Sequence, residues 1–96
     1  MKVNVEVAVE TNADARSISV NFEDVPLDGD GKGNTQVDLG VENDLQWQVI
    51  GAPETTYKIT LTPEQGQLNI EGDHPIDLEI AAGFDRAGGN RTFSIT

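Results

Sequence analysis

Ninety-six residues with 36% hydrophobic content suffice for one domain, residues 1–96, with a lean core and no room for a second. Seventeen acidic against six basic residues give a net charge of −11, which repels phosphate backbones and anionic membranes and favours cations or basic partners. The absence of cysteine excludes disulfides, thiolate metal sites and thiol nucleophiles. Nucleic-acid binding is therefore not expected. An acidic, lysine-poor surface also suits a protein that must stay hydrated in salty surroundings.

The chain opens with Val3, Val5, Val7 and Val9 alternating with polar residues. Side chains of period two fall on opposite faces of a strand, so this stretch reads as a strand and not as the continuous apolar run of an export leader. The protein is then cytoplasmic, or extracellular or periplasmic if a leader has been removed. No apolar run approaches the roughly 18 residues of a membrane helix, so membrane insertion is not expected.

The same alternation continues through Ile18, Val20, Phe22; Val37, Leu39, Val41; Leu45, Trp47, Val49; Tyr57, Ile59, Leu61; Leu68, Ile70; Ile76, Leu78, Ile80; and Phe93, Ile95. Helical spacing is nowhere sustained. Seven to eight short strands with turn signals between them predict an all-β fold, a small antiparallel β-sandwich that is immunoglobulin-like in architecture. Trp47 falls in the inward phase and reads as a core anchor. No cysteine pair or diagnostic motif extends that architectural likeness.

Residues facing each other across two antiparallel strands point to the same side of the sheet, which restricts the hairpins that fit. A three-residue turn Glu42-Asn43-Asp44 matches Val41 with Leu45, Leu39 with Trp47 and Val37 with Val49, with Asn43 or Asp44 at positive φ. Pro63-Glu64-Gln65-Gly66 is turn chemistry between strands in which Leu61 then faces Leu68. A hairpin with Asn12-Ala13-Asp14 at its tip matches Val9 with Ile18 and Val7 with Val20. If every connection reverses the chain, the loops after Phe22, at residues 51–55 and at residues 72–75 share one end. That end gathers Asp24, Asp28, Asp30, Glu54, Asp73 and His74 against a lone Lys32. The opposite end holds Asp14, Glu42, Asp44, Glu64 and Asp85 together with Arg16, Arg86 and Arg91.

The longest loops, residues 28–34 and 81–90, are where function is expected to reside. Asp28-Gly29-Asp30-Gly31-Lys32-Gly33-Asn34 places hard oxygen ligands at alternate positions, like half of a calcium loop. Lys32 at the fifth position and Leu39 at the twelfth rule out an EF-hand. A Ca2+ ion here would use Asp28 and Asp30 with Asp24 and Asn34, and the competing reading is a solvated turn.

His74 is the only histidine and cannot build a histidine-rich zinc site. Ser17, Ser19 and Ser94 fall on outward strand positions, so no nucleophile stands ready for it. Of five aromatic residues only Phe84 lies outside the inward phase, and with Arg86 and Arg91 it forms the one plausible ligand patch. Asn90-Arg91-Thr92 fits the glycosylation acceptor triplet, a pattern common by chance.

The expectation is a non-catalytic module, an accessory or binding domain whose partner is a protein or neighbouring domain. The alternative is a calcium-binding version using its acidic loops, and a small enzyme ranks third.

Overall fold

The computed structural model describes residues 1–96, and every regular element in it is a strand. In chain order these are β1 (Lys2–Thr11), β2 (Ala15–Val20), β3 (Glu23–Asp24), β4 (Lys32–Asp38), β5 (Asn43–Ile50), β6 (Thr56–Pro63), β7 (Leu68–Ile70), β8 (Ile76–Glu79) and β9 (Arg86–Ile95). They form two antiparallel sheets, β4-β1-β6-β8 (sheet A) and β3-β2-β5-β9-β7 (sheet B). The fold is the expected small β-sandwich.

The alternating apolar positions close against each other between the sheets. Val3, Val5, Val7, Val9, Ile59 and Leu61 from sheet A meet Ile18, Leu45, Trp47, Val49, Phe93 and Ile95 from sheet B, all buried. Trp47 Nε1–H donates to the Tyr57 hydroxyl at 3.2 Å, which satisfies both polar atoms across the core. The ring is also wedged against β9, since a Cβ on Gly89 would sit 2.6 Å from Trp47 Cζ2.

All three expected hairpins are instead crossings from one sheet to the other. β1 and β2, β4 and β5, and β6 and β7 each lie in different sheets, and β2–β3 is the only consecutive pair that shares one. Val9 pairs with Ile59 and Ile18 with Trp47; Val37 pairs with Val3 and Leu68 with Ile95. The parity rule is satisfied either way, because two strands facing each other across a core also turn their apolar sides together. Neither Asn43 nor Asp44 takes positive φ; Gly40 does, at 78°. Leu39 and Val41 leave the sheet and are exposed.

Phe22 also departs from its expected inward position. Asn21 and Phe22 have φ of 52° and 68°, two successive left-handed residues that close the tight β2–β3 hairpin. That reversal turns Phe22 outward, 75% exposed. A second departure follows at residues 71–75, which carry the chain from sheet B to sheet A without reversing it. β7 and β8 run the same way, by their registers against β9 and β6. Both changes redistribute the loops. Residues 12–14, 28–31, 51–55 and 80–85 lie at one end, and residues 21–22, 39–42 and 64–67 at the other.

Candidate functional site

The expected calcium ligands are not gathered. Asp24 pairs with Ser19 and shares the outer face of sheet B with Gln46 and Gln48. Asn34 lies on sheet A, where its Oδ1 accepts a hydrogen bond from Asn4 Nδ2 at 3.0 Å. Asp28 and Asp30 sit in the turn between them, and no group of three or more His, Asp or Glu side chains is close enough to share an ion.

The turn is closed by its own bonds. Asp28 Oδ1 accepts the Lys32 N–H at 3.0 Å and the Asp30 N–H at 2.9 Å, which hold its carboxyl below the ordinary value of 3.8. The Asp28 N–H bonds the Lys32 carbonyl and the Gly31 N–H the Asp28 carbonyl. Arg16 reaches the same turn and donates to the Gly29 carbonyl at 3.3 Å. Its position pairs with Val49 on the inner face of β5, so Arg16 caps the core edge under residues 29–31. This end is therefore not the expected one with Lys32 as its lone cation, because Arg16 and Arg86 share it with Asp14, Asp28, Asp30, Glu54 and Asp85.

Phe84, Arg86 and Arg91 do not form one patch. Phe84 is exposed in a turn where its N–H bonds the Ala81 carbonyl. Arg86 opens β9 opposite Ile50 and pairs with the adjacent Asp85 at 3.3 Å, both exposed. Arg91 stands opposite buried Leu45, five residues further along, which is about 16 Å and on the other face. Its guanidinium lies 5.6 Å from the centroid of the Trp47 ring, and Nη1 donates to the Asn90 carbonyl at 3.1 Å. Its Nε is buried without a hydrogen-bond partner. Gly72, at φ 80°, lets the crossing chain pass directly over that nitrogen, where a Cβ would come within 3.1 Å.

His74 has a definite structural task. β8 covers β6 only from Thr56 to Ile59, and beyond it His74 Nε2 accepts the Leu61 N–H at 3.0 Å. Burial lowers the imidazole pKa from its ordinary 6.5, so the neutral acceptor form is the one the fold uses.

A different group of residues stands out in the structure, and it was not foreseen from the alternating pattern. Met1, Phe22, Leu39 and Val41 are large, apolar, exposed and all at the end that carries residues 21–22 and 39–42. Hydrogen bonds tie this end together: Leu39 N–H to the Met1 carbonyl at 3.0 Å, and Asn21 N–H to the Asp44 carbonyl at 2.8 Å. Asn21 Nδ2 donates to Asn43 Oδ1 at 3.0 Å, and Asn43 Nδ2 to the Val41 carbonyl at 2.9 Å. Asn43 is buried, so the two loops bearing Phe22 and Val41 are linked through a fixed polar bridge. The signal in the sequence was Asn21 beside Phe22, since asparagine tolerates the left-handed turn that breaks the alternation. The chain matches no protein-family model, no curated protein and no solved structure.

Proposed function

We propose that this chain is a non-catalytic binding module whose partner, a protein or a neighbouring domain, docks through apolar contact on the end bearing Met1, Phe22, Leu39 and Val41. The observation that carries the reading is Phe22. A phenylalanine at φ 68° is strained by about 1–3 kcal/mol, and at 75% exposure it returns little to the core. The turn holds it there because Asn21 is fixed on both sides, with Oδ1 accepting the Asp44 N–H at 2.9 Å and Nδ2 on Asn43. A bulky aromatic presented on a rigid, strained turn is well suited to serve as an interface anchor. The likeness to immunoglobulin-like sandwiches is limited to two packed sheets with a tryptophan between them. Alternation of nearly every strand between the sheets differs from an order in which consecutive strands A and B share one.

Phe22→Gly tests the assignment. Glycine accepts positive φ without a Cβ penalty, so the variant should be stabler by about 1 kcal/mol, a rise in Tm of roughly 4–8 °C for a domain of this size. It should also bind less of a neutral apolar dye in the native state. A variant that melts lower would show that Phe22 serves the fold, and the docking reading would fall with it.

A further inference from the structure

Sheet B is one strand short over half its length. β7 covers β9 only from Phe93 to Ile95, with the Glu71 N–H reaching the Thr92 carbonyl just beyond. From Arg86 to Arg91 the outer edge of β9 has no neighbour. Thr96 and Thr92 direct their backbone groups toward β7, so by alternation Asn90, Gly88 and Arg86 direct theirs to the same side. There the Asn90 carbonyl accepts one bond from Arg91 Nη1 and keeps a second lone pair, and the other groups meet no partner. The corresponding half-edge of sheet A is closed, since on β6 the Leu61 N–H is taken by His74 and Pro63 has none.

A second observation marks the same place. Leu78 pairs with buried Tyr57 and therefore faces the interior, yet it is 42% exposed. β7, the strand beyond β9, pairs only with Phe93–Ile95 and does not extend along this half of the edge. The free edge of β4 lacks such a neighbour, as the inward residues beside it, Val25 and Val37, are covered.

We infer that the open half of β9 pairs antiparallel with the same segment of a second copy of this chain, about a two-fold axis at Gly88, to give a homodimer with one continuous sheet. In this register Gly88 bonds its own copy, while Arg86 and Asn90 exchange bonds, so every outward backbone group of residues 86–90 is used. Asp85 then lies opposite Arg91 of the other copy, in both directions. A register one residue longer would face these outward groups with odd residues whose groups are turned to β5, and so cannot form. One two residues longer needs Thr92, which Glu71 already occupies. The length also fits, because each copy bends away at Phe84, whose N–H turns back to Ala81, just where Glu71 of its mate already occupies Thr92. Ala87 and Gly89 of the incoming strand face inward over Leu78. The contact is local and short, and so the dimer is weak. It rests on different residues from the apolar end.

Sedimentation and diffusion measurements over about 20 µM to 2 mM span the range where so small an interface associates. The expected result is a rise from 10.3 kDa toward twice that mass, with an intermolecular Hα contact between Ala87 and Gly89 in a mixed-isotope sample. Asn90→Pro removes a donor that bonds nothing in the single chain, and Asp85→Lys places a cation opposite Arg91. Both should weaken association at least tenfold while Phe22→Gly leaves it intact. A mass that stays at 10.3 kDa throughout, or a dimer indifferent to both edge variants, overturns the inference. So does a chain that stays monomeric while an extended peptide of other sequence occupies the edge.

Discussion

Adding one methyl group at Gly89 should damage the core measurably. In Gly89→Ala the new Cβ meets Trp47 Cζ2 at 2.6 Å and Cε2 and Cη2 at 3.1 Å, against about 3.5–4.0 Å for an ordinary carbon contact. The ring must move by about 1 Å, and it is not free to do so. Its Nε1–H is bonded to Tyr57 at 3.2 Å, and the Arg91 guanidinium lies over it at 5.6 Å. Overpacking costs about 1–3 kcal/mol and a lost hydrogen bond about 1 kcal/mol. The reduced freedom of the unfolded chain returns about 0.4–1 kcal/mol. The net loss is roughly 1–3 kcal/mol, and a loss of about 2 kcal/mol lowers Tm by some 8–16 °C. Thermal melts followed by tryptophan emission measure it, with Gly29→Ala as control, since nothing lies within 4 Å of a Cβ there. If Gly89→Ala melts with the control, the ring does not rest on β9 and the account of the core is wrong.

Two further outcomes follow from hydrogen bonds at the sheet margins. His74 accepts a proton less readily in the fold than in the unfolded chain, so its contribution is full above the unfolded pKa of about 6.5 and is lost as pH falls below that value toward the folded pKa. His74→Gln should flatten the difference in Tm between pH 7.5 and pH 5.5; an unchanged difference would show that the imidazole is not the acceptor for Leu61. Asp28 carries the same sign in a more acidic window, with a lowered pKa whose stabilisation is present above 3.8 and lost as pH falls through the folded value. Asp28→Ala should lower Tm at neutral pH while Asp30→Ala does not, and millimolar calcium should leave Tm unchanged. A calcium-dependent rise abolished by Asp30→Asn would restore the cation site.

The alternating pattern made the core legible, because period-two burial is a local property of each strand. Val3 to Val9, Ile18, Val20, Trp47, Val49, Ile59 and Ile95 all lie where parity puts them. It could not reveal sheet membership, since Val9 and Ile18 turn toward each other equally well as hairpin partners and as opposite walls of a core. Phe22, Leu39 and Val41 were misplaced for a related reason. Alternation says nothing about where a strand stops, and each of these residues lies just past the end of β2 or β4. Arg16 and Arg91 were missed as inward residues because charge reads as surface. Their spacing of two from Ile18 and Phe93 carried the signal.

Residues 86–92 show why the remaining site stayed hidden. Gly88-Gly89 resembles a loop in sequence, since glycine weakens a strand and marks a turn. Here Gly89 is required by the Trp47 ring on its inner side, so the glycine pair belongs to the core's geometry and the strand extends through it. Arg91 fits the same logic. An inward-pointing charge beside an unpaired strand discourages indiscriminate edge pairing, and a strand offering an opposite charge at that position is favoured over one that does not. With its Nε buried and unbonded, Arg91 leaves part of its hydrogen-bonding capacity unused in the single chain. The Asp85 carboxylate of a second copy would supply the opposite charge, so association through β9 and the retention of an arginine in the core margin have one physical cause.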